Sequence, residues 1–237
     1  MALLETHDLE VFYGDFQAVF GIDLAVEEGE TVAIIGSNGA GKSSFLNALA
    51  GITPTKPEAI TLGGKPIGGT PAYEMVKKGI ALVPEGRKLY PSLTVEENLL
   101  IGADGKTVDR GWTLDEIYRL FPILKERAKQ MSTTLSGGQQ QQVSIGRALM
   151  ANPQVLLCDE ISLGLAPTIV KDVYAAVKEI QARGTTVLLV EQDLTAALGA
   201  ADRVYCFMEG RVTLTGRPGE LTKDQIQQAY FGMSEEA

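Results

Sequence analysis

Apolar residues fall into two rhythms along this chain. Short blocks rich in Val, Leu, Ile and Phe at residues 3–12, 18–26, 31–35, 155–158 and 186–190 have the length and composition of strands. Residues 42–50, 168–182 and 194–200 instead carry apolar positions three and four apart, the spacing of one helix face. Residues 204–208 and 212–214 read as a hairpin turning at Glu209 and Gly210. Strands alternating with helices predict an α/β fold, a mostly parallel sheet with helices on both faces. The two early strands predict an antiparallel flank.

The rhythm changes between residues 91 and 150. Residues 93–101, 114–129 and 139–150 all show helical spacing, and strand patterns are absent. The reading is one domain over residues 1–237, with a core lobe at about 1–90 and 151–237 and an inserted helical lobe at about 91–150. Pro54, Pro57, Gly63, Gly64, Gly68 and Gly69 punctuate a loop-rich stretch with short strands. Trp112 is left open between a packing anchor and an interface residue.

Composition narrows the possible partners. Of the 237 residues 45% are apolar, yet no run approaches the roughly 20 needed to cross a bilayer. Any membrane role must therefore come through a partner, and the N-terminus lacks the pattern of a secretory signal. A formal charge of −9 opposes nonspecific binding to nucleic acid or anionic lipid, so no nucleic-acid partner is expected. Cys158 and Cys206 sit in apolar runs without C-x-x-C spacing, which predicts buried packing rather than redox or zinc chemistry.

Three short segments carry chemistry. Residues 36–43 read G-S-N-G-A-G-K-S between a predicted strand and a predicted helix, the context that a phosphate-binding loop requires. Gly36, Ser37, Asn38, Gly39, Ala40 and Gly41 would wrap phosphates with backbone N–H groups, ahead of a helix start at Ser43 and Ser44. Lys42 would reach the β- and γ-phosphates and Ser43 would ligate Mg²⁺. The run at 155–158 delivers Asp159 and Glu160 to the end of a strand, where ligands bind in such sheets. Asp159 suits Mg²⁺, and Glu160 suits a general base for water. Residues 135–139, L-S-G-G-Q, place Ser136, Gly137, Gly138 and Gln139 before a helix, so a hydroxyl, bare amides and a helix dipole could face an anion. Alone, that segment reads as an N-cap and a tight turn.

Together the three segments resemble the ATP-binding cassette family across essentially the whole chain, which implies a P-loop NTPase fold. The resemblance implies that residues 135–139 complete the site of the opposite subunit, so that two ATP molecules are sandwiched between two cassettes. The stretches 83–87 (V-P-E-G-R), 93–98 (L-T-V-E-E-N), 162–167 (S-L-G-L-A-P), 190–192 (V-E-Q) and 229–232 (A-Y-F-G) are similar to the LivF-type cassette. That subfamily serves importers of branched-chain amino acids and related small polar solutes such as urea and amides. It implies integral membrane permease subunits as partners, with residues 85–91 at their docking site. It also implies a second cassette, either another copy or a related LivG-type chain, and a periplasmic or extracellular solute-binding protein acting indirectly. The expected location is the cytoplasmic face of the inner or plasma membrane.

Further roles rest on the same resemblance. Tyr13 matches the aromatic on which adenine stacks, with Phe12 expected on the opposite strand face. Glu85 stands where most cassettes place a magnesium-sensing glutamine, and Gln192 where most place a γ-phosphate-sensing histidine. Gln192 can donate a neutral hydrogen bond but carries no proton or positive charge, which shifts the catalytic load to Glu160. Ile161 stands where a proline is usual, so the loop after Glu160 is expected to be looser. Residues 162–167 are expected to cross the dimer seam. Two rivals remain: a soluble cassette ATPase without a transport role, and another phosphate-loop enzyme such as a kinase or GTPase. Residues 135–139 and the lack of an N-K-x-D motif argue against the second.

Overall fold

The computed structural model describes residues 2–105 and 111–231. Strands β1 (Ala2–Tyr13) and β2 (Phe16–Glu27) form a long antiparallel hairpin, and β3 (Thr31–Ile35) then runs into the glycine loop ahead of helix α1 (Lys42–Leu49). The short strands β4 (Ile60–Leu62) and β5 (Lys65–Pro66) precede helix α2 (Ala72–Met75) and strand β6 (Ile80–Val83). Helices α3 (Val95–Ile101), α4 (Leu114–Leu120), α5 (Pro122–Glu126) and α6 (Gly137–Leu149) follow, with no intervening strand among the described residues. The chain then alternates through β7 (Val155–Asp159), α7 (Pro167–Ala182), β8 (Thr186–Glu191) and α8 (Leu194–Ala200), and ends with β9 (Arg203–Met208), β10 (Arg211–Gly216) and α9 (Lys223–Phe231).

These strands build two sheets, ordered β2-β1-β4-β5 and β10-β9-β3-β8-β7-β6. The first is antiparallel, the expected flank. The second is parallel except for the β9–β10 hairpin. Its centre is buried on both faces, and alternate side chains enter two different cores. Ala33, Ile35, Leu156, Cys158, Leu189 and Cys206 pack toward α6 and α7. Val32, Ile34, Leu157, Val190, Tyr205 and Phe207 pack toward α1 and the antiparallel sheet, where Phe45 meets Phe207 edge-on at 5.3 Å. Each fully buried Leu, Ile or Phe is worth roughly 1.5–3 kcal/mol, so this two-faced sheet is the rigid base for any site at its edge. Both cysteines are buried and unpaired, as expected.

Sequence spacing misjudged several elements. Strand β6 was not anticipated, because four apolar residues inside a turn-rich stretch give too short a pattern. Helix α9 was missed because its sequence, K-D-Q-I-Q-Q-A-Y-F, is mostly polar. The helical stretch expected over 114–129 breaks into α4 and α5 at Pro122, whose missing N–H suits the first position of a new helix. Helix α3 starts at Val95 under a capping box between Thr94 and Glu97. Trp112 proves to be a packing residue: it is buried, its backbone is held by the Asn152 side chain, and Arg183 stacks over its ring at 3.9 Å. Gly232, the last position of the 229–232 stretch, lies outside the described residues.

Candidate nucleotide site

The site forms where three neighbouring strands end together. In the order β3-β8-β7, Ile35 pairs with Glu191 and Val190 with Asp159, so the glycine loop, Gln192 and Glu160 emerge side by side at the carboxyl edge of the sheet. Gly41 caps the start of α1 in a left-handed conformation, φ +93°, where an added Cβ would also meet the Ala18 carbonyl oxygen at 2.8 Å. Only glycine satisfies both demands. A cavity of about 860 Å³ opens over this loop, lined by Asn38, Gly39, Ala40, Gly41, Lys42, Ser43 and Ser44, by Glu85, Glu160 and Gln192, and by Tyr13 and Phe16 from the β1–β2 hairpin. Tyr13 and Phe16 are largely exposed at its mouth. Phe12 lines a separate cavity of about 270 Å³, consistent with alternation along β1. Gly36 lies beneath the cavity floor, with no room for a Cβ against the Phe207 carbonyl oxygen.

Lys42 is poised rather than free. Its ammonium donates to the carbonyl oxygens of Gly36 at 2.7 Å and Ser37 at 3.0 Å, and lies 3.9 Å from Glu160 Oε1. Burial holds Lys42 below its ordinary pKa, opposed by the charges of Glu160, Asp159 and Glu191. The Ser43 hydroxyl donates to Asp159 Oδ1 at 3.1 Å. Burial pushes Asp159 up to about 6, and the nearby charges of Glu160 and Glu85 act in the same direction. The Asp159 carboxylate with the Ser43 hydroxyl beside it offers hard oxygen donors of the kind a divalent cation takes. Among the described residues no group of three or more His, Cys, Asp or Glu forms a metal site. Ser43 and Asp159 are the side chains that could hold Mg²⁺ here, with Glu85 facing the cavity that Ser43 lines.

Glu160 occupies a sharp turn, with φ +47° and its N–H donating to the Val190 carbonyl oxygen at 2.9 Å. The Gln192 amide donates to Glu160 Oε1 at 3.0 Å and also to Asn38 Oδ1. One neutral side chain therefore links the glycine loop to the carboxylate that could accept a proton from water. Ile161 is buried in the core, so the turn is anchored by packing where a proline would have anchored it by φ. Glu191, given no role by the sequence reading, is buried beside this turn, and burial raises its pKa. Residues 162–167 leave Glu160 along the rim of a second cavity, of about 740 Å³, that shares Glu160, Leu163 and Gln192 with the first.

The L-S-G-G-Q segment sits elsewhere. Ser136 caps α6: its hydroxyl accepts from the Gln139 N–H at 3.3 Å, while the Gln139 side chain accepts from the Ser136 N–H at 3.1 Å. Gly138 lies against Ile169 of α7, where an added Cβ would come within 2.5 Å. Ser136 is exposed, and among the described residues none of 135–139 lines the cavity over the glycine loop. The structure thus assembles residues 38–44, Glu160, Glu85, Gln192 and Tyr13 around one space, with Asp159 joined to it through Ser43, and leaves Gly36, Ser37, Ser136, Gly137, Gly138 and Gln139 outside its lining.

No described helix is long and apolar enough to cross a membrane. The segment at 85–91 is an exposed loop with Arg87 and Lys88 both left-handed, at φ +65° and +43°. From α6, Arg147 donates to the carbonyl oxygens of Lys88 at 2.8 Å and Arg87 at 3.0 Å.

Known proteins match this arrangement. A family model described as "ABC transporter" matches residues 19–162. A high-affinity branched-chain amino acid transport ATP-binding protein, BraG, of Pseudomonas aeruginosa is 41% identical over 97% of this chain and all of its own length. A probable branched-chain amino acid transport ATP-binding protein, LivF, of Archaeoglobus fulgidus is 32% identical over 94% of this chain and 95% of its own. Among solved structures, a nucleotide-free ATP-binding cassette from an ABC transporter superposes with a TM-score of 0.81 at 28% identity, covering 97% of this chain and 95% of its own. The ADP conformation of another such cassette superposes with a TM-score of 0.79 at 28% identity, covering 96% and 94%. With its glycine loop, its Asp159–Glu160 pair and its cavity built on that fold, the chain belongs to the ABC transporter family as an ATP-binding, ATP-hydrolysing cassette.

Proposed function

We infer that this chain energises an importer of branched-chain amino acids or a related small polar solute, acting as one member of a pair of cassettes that share their ATP. The identities to BraG and LivF over nearly the whole chain support the solute class. The sharing is carried by one observation: L-S-G-G-Q, an exposed helix start suited to an anion, lies outside the cavity that its own chain builds for the triphosphate. A second cassette, another copy or a LivG-type chain, would bring its own Ser136-type segment over that cavity. The permease subunits would dock at the exposed loop 85–91, which α6 holds through Arg147 and so couples to the L-S-G-G-Q helix. The chain would then work at the cytoplasmic face of the membrane, with the solute-binding protein contacting only the permease.

In the chemistry proposed, water attacks the γ-phosphorus in line, the bond to the β-phosphate oxygen breaks, and Glu160 accepts the proton of the water. Lys42 and the loop amides hold the β- and γ-oxygens, and the partner's L-S-G-G-Q amides would complete the donor set. Mg²⁺, held through Ser43 and Asp159, would neutralise charge on the phosphates. Gln192 orients Glu160 and Tyr13 supports adenine.

Glu160→Gln tests the reading. The variant should bind ATP, accumulate as a pair on size-exclusion chromatography, and lose steady-state turnover by roughly 100-fold or more. Undiminished hydrolysis would remove Glu160 as the base, and a variant that binds ATP yet stays single would remove the sharing. Recovery of the chain from native membranes with an integral partner would separate transport from a soluble role.

A further inference from the structure

Glu191 is a buried carboxylate that the hydrolytic reading does not use. It closes β8 with 2% of its surface exposed. A carboxylate in such a place is costly unless donors face it. Two donors come from a single residue of the neighbouring turn: the Ser162 N–H reaches Oε1 at 3.3 Å and the Ser162 hydroxyl reaches Oε2 at 2.8 Å. The buried Tyr174 hydroxyl of α7 faces the same carboxylate without a hydrogen bond of good geometry.

The turn held in this way is the one that carries Glu160. A left-handed φ of +47° is unfavourable for a glutamate and persists only where the surroundings over-determine it. Three consecutive residues at the end of β8 supply that determination. The Val190 carbonyl oxygen receives the Glu160 N–H and fixes where the turn begins. The Gln192 amide holds the tip of the Glu160 side chain. The Glu191 carboxylate holds Ser162, two residues on, and fixes the direction in which the chain leaves. Without that last tether, backbone rotation at 160–161 could swing the Glu160 carboxylate while the other two contacts stretched.

We propose that Glu191 is a positioning residue of the hydrolytic centre, which by gripping Ser162 keeps the Glu160 carboxylate aimed into the nucleotide cavity. This rests on Glu160 being the base. A carboxylate clamp is thereby added to the core packing of Ile161, which offers no locked φ.

The test is a double-mutant cycle on the purified full chain with Glu191→Gln, Ser162→Ala and the pair combined. ATP affinity, steady-state turnover and thermal melting are measured on each. Each single change should lower turnover roughly 10- to 100-fold, as small misplacements of reacting groups do. ATP affinity should stay within about twofold, because no contact to the glycine loop is removed. The double variant should be no slower than the slower single, since Ser162→Ala removes the side-chain contact that Glu191→Gln weakens. Ser162→Thr, which keeps the hydroxyl, should restore turnover, and it serves as the readout if Glu191→Gln melts below the assay temperature. Unchanged turnover in folded Glu191→Gln or Ser162→Ala, or losses that multiply in the double variant, would overturn the proposal. Glu160→Gln in the same assay separates the two readings. If it is dead while Glu191→Gln is fully active, only the clamp fails. If it is active, the base and the clamp fall together.

Discussion

The two glycine-rich segments of this molecule differ in how much they need from elsewhere. The loop before α1 is finished within its own chain. Lys42 is already curled onto the loop carbonyls, Ser43 already meets Asp159, and a cavity already stands open above them. The segment before α6 is also ordered, with Ser136 and Gln139 capping each other and Gly138 pressed on Ile169, yet none of its residues lines that cavity. Both present amides at a helix start, and only the first borders the cavity that also holds Glu160 and Gln192. In the proposed pair, a site split in this way would let binding, rather than chemistry, drive two molecules together.

The contrast can be broken most severely at Lys42. Lys42→Ala should abolish turnover, by roughly 100- to 1,000-fold, and weaken ATP binding by a single chain, since the charge that meets the phosphates is gone. Next comes Gly137→Asp, which sets a carboxylate where the neighbour's triphosphate would lie. Turnover should fall about 100-fold while ATP affinity of the unpaired chain stays unchanged. A matching loss of affinity in the unpaired chain would show that both loops serve one molecule. Gln192→Ala should be milder: losing one amide hydrogen bond to the Glu160 carboxylate is worth about 1.5 kcal/mol, or roughly tenfold in rate. A loss as deep as that of Glu160→Gln would place chemistry on Gln192.

The smallest effect concerns stability. An Asp whose folded pKa is raised to about 6 binds its proton more tightly folded than unfolded. It therefore costs stability as pH rises from its unfolded value toward 6, and the cost persists above that. Asp159→Asn should raise the melting temperature of the metal-free chain at pH 8 and leave it nearly unchanged at pH 4. Equal shifts at both pH values would mean that ionisation of Asp159 is not the cause.

Much of this was readable from residues alone because it is local. The β3-loop-α1 unit, the acidic pair after β7 and the Ser136 cap each lie within a few neighbouring residues, where backbone conformation and side-chain type suffice. What only the tertiary structure decided is adjacency between distant segments. Threading β8 between β3 and β7 sets Gln192 beside Asn38 and Glu160, and Glu191 against Ser162. Folding of β1 and β2 brings Tyr13 and Phe16 to the mouth of the cavity. The same topology leaves Ser136 facing outward. Strand β6 and helix α9 escaped notice for a related reason: a four-residue strand and a mostly polar helix are stabilised by β7 and β9 rather than by any periodicity of their own. Local chemistry is written in consecutive residues, whereas the partner that each group meets depends on sheet order, a property of the whole chain.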